Sequence, residues 1–144
     1  MAIIGKTISV FAFVFSGDNV VILEHANKAR GLEVPGGHIE SGETVTEALK
    51  REDIEEIAAS IKDIEILGCQ IITKDTPEEK YPDLLSNQLF FIANLDKYEN
   101  IEVAPDSLGA FEMNKYKFLE HLKDNNSYYA LLYEAALIKI SKNN

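Results

Sequence analysis

Glu52, Glu55 and Glu56 stand at positions i, i+3 and i+4. On an α-helix that spacing places three carboxylates on one face, where they repel one another. A hard divalent cation relieves the repulsion, because Mg²⁺ or Mn²⁺ takes oxygen ligands and keeps waters in its shell. On a pyrophosphate such an ion neutralises phosphate oxygens and acidifies a bound water that attacks phosphorus. A neighbouring carboxylate can take the proton. Gly36 and Gly37 lie ahead of the helix, so the backbone can approach metal or phosphate closely, and the Gly37 carbonyl is itself a candidate ligand. Acidic helical clusters also occur as plain solvent-facing surfaces, and the spacing alone leaves both readings open.

The elements that must carry these groups are legible nearby. Thr44 and Glu47 fit a capping box, with Thr44 as N-cap. The helix should run from about 45 to 57, with Val45, Ala48, Leu49 and Ile57 on its buried side. Residues 7–15 read as a buried strand, 16–19 as a turn and 20–24 as a returning strand. His25 to Arg30 is a polar connection, and Leu32-Glu33-Val34 suits a short strand. Pro35-Gly36-Gly37 should break any regular element. A strand centred on 64–72, a polar loop over 76–85 containing Pro77 and Pro82, and a strand over 88–95 follow. A connection over 102–106, a short strand over 108–113 and helices over 115–122 and 128–140 close the chain. Strands with helices at intervals give an α+β fold or an α/β/α sandwich.

With 144 residues the chain suits one domain with one core. The hydrophobic fraction of 46% argues against disorder. The formal charge of −10 argues against a partner such as a long nucleic acid, which needs an electropositive face. A small phosphorylated substrate remains allowed if a local cation screens the carboxylates. No apolar run reaches membrane-spanning length, and the apolar N-terminal segment reads as a first strand rather than a signal peptide. Cys69 is the only cysteine, so no intrachain disulfide forms, and a cytoplasmic location is expected.

Gly37, Glu43, Arg51, Glu52, Glu55, Glu56 and Ala59 occupy seven specified positions over 23 residues, after the lead-in Leu32-Glu33-Val34-Pro35-Gly36. This pattern resembles the signature of the Nudix family. The resemblance extends in element order from about Ile8 to Leu122. It implies an α/β fold, an α/β/α sandwich with a mixed central sheet, in which the motif forms a loop–helix–loop. It implies hydrolysis of a nucleoside diphosphate linked to another group, with Mg²⁺ or Mn²⁺. In that scheme Glu52, Glu55 and Glu56 hold metal with help from the Gly37 carbonyl. Glu52 or a residue outside the motif is the general base. Arg51 and Glu43 pair to hold the loop on the helix. A further acidic ligand is sought among Glu99, Glu102 and Glu112. Two positions depart from the signature. Asp53 stands where an apolar side chain is expected, which costs stability unless it is hydrogen-bonded or exposed. Ala58 stands where glycine is expected, which is costly if its φ is positive and harmless if the helix simply continues.

Substrate contacts are less sharply marked. His38 beside Gly37, Lys28 and Arg30 near the loop, and Phe90 on its strand are candidates, each with an ordinary surface or core alternative. Phe90 and Phe91 should face opposite ways. His25 could line a pocket, His121 reads as helix surface, and Tyr81 and Phe111 have the same standing as Phe90. Cys69 reads as a small core side chain rather than a nucleophile. The resemblance is closest to small bacterial MutT-like members, which implies a nucleoside triphosphate, oxidised purines included, cut to monophosphate and pyrophosphate. Nucleotide sugars, dinucleoside polyphosphates or capped RNA ends, and a non-catalytic nucleotide-binding regulator, are the competing readings. The apolar Tyr128–Ile140 segment is read as a helix for the core or for a homodimer contact.

Overall fold

The computed structural model describes residues 7–73, 85–105 and 107–143. Its elements are β1 (Thr7–Ser16), β2 (Asn19–His25), a 3₁₀ turn (Lys28–Arg30), β3 (Leu32–Glu33), β4 (Gly36–His38) and α1 (Val45–Ile57). These are followed by β5 (Ala59–Thr73), β6 (Leu85–Tyr98), β7 (Ser107–Asn114), α2 (Lys115–Asn125) and α3 (Ser127–Lys142).

The strands form one mixed sheet in the order β3-β2-β1-β6-β5, with β7 added to β2 and β4 added to β1. β1 is its axis. One edge runs parallel to β6 from Thr7↔Ser86 to Phe15↔Asn94. The other edge is shared, with Val14–Ser16 antiparallel to β2 and Ser9–Phe11 antiparallel to β4. β2 and β4 therefore diverge along β1, and β4 lies against α1.

Alternation along the strands sends their side chains to two separate cores. Val10, Ala12, Val14, Leu89, Phe91 and Ala93 pack with Ala48, Leu49 and Ile57 of α1. Phe13, Phe15, Phe90 and Ile92 face the opposite way, onto Phe118, Ala130, Tyr133 and Ala136 of α2 and α3. The result is the expected α/β/α sandwich. Tyr133 is fully buried, meets Phe13 and Phe118 edge-on at 5.1 Å, and spends its hydroxyl on the Lys115 carbonyl at 2.8 Å. α3 also carries an outward apolar stripe of Tyr128, Leu131 and Ile138.

Three expectations are corrected. Gly36–His38 is a strand, because the two glycines let the backbone lie against β1: a Cβ on Gly36 would run into the Phe11 ring and the Val10 carbonyl. Cys69 is exposed, not core, since β5 lies at an end of the sheet and turns one face outward. Phe90 is 0% exposed and stacks between Phe11 and Phe13 at 5.3 and 5.9 Å, so its ring has no free face for a base. The loop expected over 76–85 and Tyr81 lie outside the described residues, apart from Leu85, which opens β6.

Candidate active site

α1 begins on a reciprocal cap. The Thr44 hydroxyl accepts from the Glu47 N–H at 3.1 Å, and the Glu47 carboxylate accepts from the Thr44 N–H at 3.2 Å. This fixes the helix start and the rotation that presents Arg51, Glu52, Glu55 and Glu56 toward β4 and its flanking loop.

β4 meets that face through its glycines. The Gly36 N–H donates to Glu56 Oε1 at 2.7 Å. A Cβ on Gly37 would lie 2.5 Å from Glu52 Oε1, so only a glycine lets this carboxylate sit against the strand. The loop from His38 to Glu43 is tied down by Arg51. Its Nε and Nη2 donate to the two Glu43 oxygens at 2.7 and 2.9 Å, and Nη2 also donates to the His38 carbonyl at 3.1 Å. Nη1 bridges Glu52 at 2.9 Å and Glu55 at 3.3 Å. The bidentate geometry suits a guanidinium and no other cationic side chain.

The electrostatics follow from these contacts. The Arg51 hydrogen bond, helped by the Glu40 N–H, holds the Glu43 carboxyl below its ordinary range. Hydrogen bonding to Glu43 and Glu52 drives Arg51 further into its charged form. Burial pushes Glu52 upward; Arg51 opposes that shift and the Glu55 charge adds to it. Asp53 is 0% exposed, and among the described residues neither of its carboxyl oxygens has a hydrogen-bond partner. Burial first, then Glu56 and Glu52, push its proton affinity well above normal. The costly alternative for the apolar position is therefore the one realised. The same holds for Ala58, which ends α1 at φ 50° and ψ 44°.

Beyond α1 a loop closes over its end. The Ala104 N–H donates to the Glu55 carbonyl at 2.6 Å, the Ser107 hydroxyl to the Glu56 carbonyl at 2.9 Å, and the Glu99 N–H to the Ala58 carbonyl at 2.7 Å. Carbonyls that a helix end leaves orphaned are thus satisfied. This separates the three extra acids. Glu112 is held by the Tyr98 hydroxyl at 2.8 Å and by Asn19 at 3.3 Å, and Glu99 pairs with Lys97 at 3.8 Å. Glu102 is exposed on the docked loop itself.

A family model of the NUDIX domain matches residues 5–132. The chain belongs to this family. The solved structures add the fold and its relatives. A NUDIX hydrolase from Nitrosomonas europaea matches with TM-score 0.73 at 15% identity, covering 92% of this chain and 89% of that one. A mutator MutT protein from Bacillus halodurans matches with TM-score 0.64 at 25% identity, covering 80% and 72%. An ADP-ribose pyrophosphatase from Streptococcus suis matches with TM-score 0.62 at 16% identity, covering 90% and 91%. No curated protein matches the sequence.

Membership makes the chain a pyrophosphohydrolase of the NUDIX type, and NUDIX hydrolases require divalent metal ions. The groups present suit a hard cation: three carboxylates, and a glycine whose missing Cβ leaves room beside Glu52. Among the described residues no three acidic, histidine or cysteine groups already converge as a cation cage. Arg51 instead neutralises Glu52 and Glu55. No helix among the described residues is long and apolar enough to cross a membrane.

The candidate substrate residues divide. Lys28 and Arg30 line a cavity of about 600 Å³ between the 3₁₀ turn, β3 and the α2–α3 junction. Arg30 is already forked onto Glu33 at 2.6 and 3.1 Å, and its Nη1 hydrogen-bonds His25 Nε2 at 2.9 Å. His38 is directed to the Ser9 hydroxyl at 3.2 Å. His121 borders the same cavity. Sequence reasoning missed the cavity's polar wall, Gln88 and Tyr129. Its only signal was Gln88 directly before the apolar run Leu89-Phe90-Phe91-Ile92-Ala93. A wider depression of about 720 Å³ lies at the far end of the sheet, by Gly17, Asp18 and Lys115, away from the carboxylate face.

Proposed function

We propose that this NUDIX chain hydrolyses a nucleoside diphosphate linked to another group, with a nucleoside triphosphate, oxidised purines included, cut to monophosphate and pyrophosphate. The observation that supports it is the seam in which Glu56 accepts the Gly36 N–H and Glu52 lies against Gly37. Glu52, Glu55, Glu56 and the Gly37 carbonyl would hold Mg²⁺ or Mn²⁺. A bound ion neutralises the phosphates and lowers the pKa of the attacking water. Glu52, or a residue outside the motif, would accept the proton as the water oxygen bonds to phosphorus and the bridging P–O bond breaks. The leaving phosphate carries away the electron pair. Arg51 and Glu43 keep the loop in register and touch no reacting atom.

The test is a panel of nucleoside triphosphates, 8-oxo-dGTP, ADP-ribose, nucleotide sugars and dinucleoside polyphosphates, with Mg²⁺ or Mn²⁺ and products resolved. Glu55→Gln and Glu56→Gln should each lower turnover by roughly a hundredfold or more. Full activity in both sinks the metal site. Tight nucleotide binding without any turnover supports a regulatory protein instead.

A further inference from the structure

Glu55 and Glu56 stand in the last turn of α1, where a helix is least secure. Its final carbonyls have no partner inside the helix, and the negative end of the helix dipole disfavours carboxylates. No basic side chain stands in that turn to offset them, and it ends on Ala58 in the left-handed region, at φ 50°. Left to itself this turn should fray, and fraying would swing both glutamates out of place.

The turn is held from outside, by the segment between β6 and β7. The Glu99 N–H bonds the Ala58 carbonyl, and the Ala104 N–H bonds the Glu55 carbonyl. The third tie is a side chain, 51 positions from its partner. Ser107 Oγ donates to the Glu56 carbonyl at 2.9 Å and accepts from the Gly109 N–H at 3.0 Å. Ser107 is buried, so water competes little for either bond. Its own N–H returns to the Ala104 carbonyl at 3.0 Å, which closes the segment on itself. It also faces His25 in the β2–β7 register, so the tie is anchored in the sheet. Glu56 is thereby fixed at both ends, its carbonyl by β7 and its carboxylate by the Gly36 N–H of β4 at 2.7 Å.

We propose that Ser107 is a positioning residue for the metal-holding face of α1: its hydroxyl keeps the Glu55–Glu56 turn in the shape that takes the ion. The inference rests on the reading of Glu55 and Glu56 as metal holders given above. Without the hydroxyl, the Glu56 carbonyl and the Gly109 N–H both lose this partner, and the turn is ordered only part of the time. The ion binds the ordered fraction, and its apparent affinity falls by that fraction, roughly fivefold or more.

The test is Mn²⁺ binding without nucleotide, followed by the electron paramagnetic resonance signal of the free ion. Ser107→Ala should weaken binding by that factor, and Ser107→Thr, which keeps the hydroxyl, should restore it. Tyr133→Phe deletes a hydroxyl that bonds a carbonyl at 2.8 Å on the opposite face of the sheet, and should leave Mn²⁺ affinity unchanged. In turnover, Ser107→Ala should need correspondingly more Mn²⁺ for half-maximal rate, with kcat recovering at saturating ion. Amide hydrogen exchange in the parent needs no variant: Mn²⁺ should slow the Ala58, Ala104 and Gly109 N–H groups together. Parent-like affinity in Ser107→Ala, an equal loss in Tyr133→Phe, or slowing of Ala58 alone overturns the inference and leaves the metal reading standing. If Glu55→Gln and Glu56→Gln bind Mn²⁺ as tightly as the parent, the metal reading falls and the inference with it.

Discussion

Asp53→Leu should make the protein more stable. The two side chains have the same branched shape and number of heavy atoms, so leucine fits the space without a cavity or a clash. Asp53 is fully buried between Leu49 and Ile57 on the core face of α1, and neither oxygen is paired among the described residues. An unsatisfied buried polar group costs about 1–3 kcal/mol, and the leucine adds apolar burial, so a gain of about 2–4 kcal/mol is expected. For a chain of this length that is a rise in Tm of roughly 6–12 °C. The gain should depend on pH, with a definite sign. The folded-state proton affinity of Asp53 is raised above the ordinary value of 3.8. From about pH 4 upward the native state holds a proton that the unfolded chain has released, so stability falls as pH climbs through that window. Leucine removes this loss, and the difference between variant and parent should widen from pH 4 toward neutrality. Urea unfolding at a series of pH values, with chelator present to strip metal, measures both effects. A variant no more stable than the parent at neutral pH, or a difference that does not grow with pH, refutes the reasoning.

Ala58→Gly should stabilise by about 0.5–1 kcal/mol, because relief of the left-handed backbone outweighs glycine's extra freedom in the unfolded chain; the urea midpoint should rise with an unchanged slope. The two glycines of β4 should part company. Gly36→Ala meets the Val10 backbone and the Phe11 ring, so the folded state should lose about 1–3 kcal/mol, read as a fall in Tm. Gly37→Ala meets first the movable Glu52 carboxylate, so Tm should hold while kcat/KM falls by roughly tenfold or more.

How much of this was legible depended on how local each cause is. α1 was, to the residue, because its cap is written in Thr44 and Glu47 and its buried side in four nearby apolar residues. The opposed faces of Phe90 and Phe91 followed from alternation, but which helix each of them meets did not, since that is set by α1 and α3, each some forty positions away. β4 was hidden because Pro35-Gly36-Gly37 reads as a breaker; its pairing with Ser9–Phe11 is a contact at a distance. Asp53 and Ala58 were visible as departures, and the structure selected the strained alternative for each. The cavity that Gln88 and Tyr129 share with the 3₁₀ turn joins separate elements, and nothing in any one of them announces it.

The central place of β1 carries a cost in time. Ser9 faces Gln88, so the strand that anchors the sheet waits for a partner made roughly 80 residues later. At ordinary synthesis rates that delay is about 4–16 s. Until β6 and α3 emerge, Phe11, Phe13 and Phe15 have no cover on their own face, while β2, β4 and α1 can already dock on β1. Long-range parallel pairing is slow to form in any case. The half of the molecule that carries the carboxylates can thus assemble first, and the nascent chain is most prone to aggregate in the interval before its second core closes.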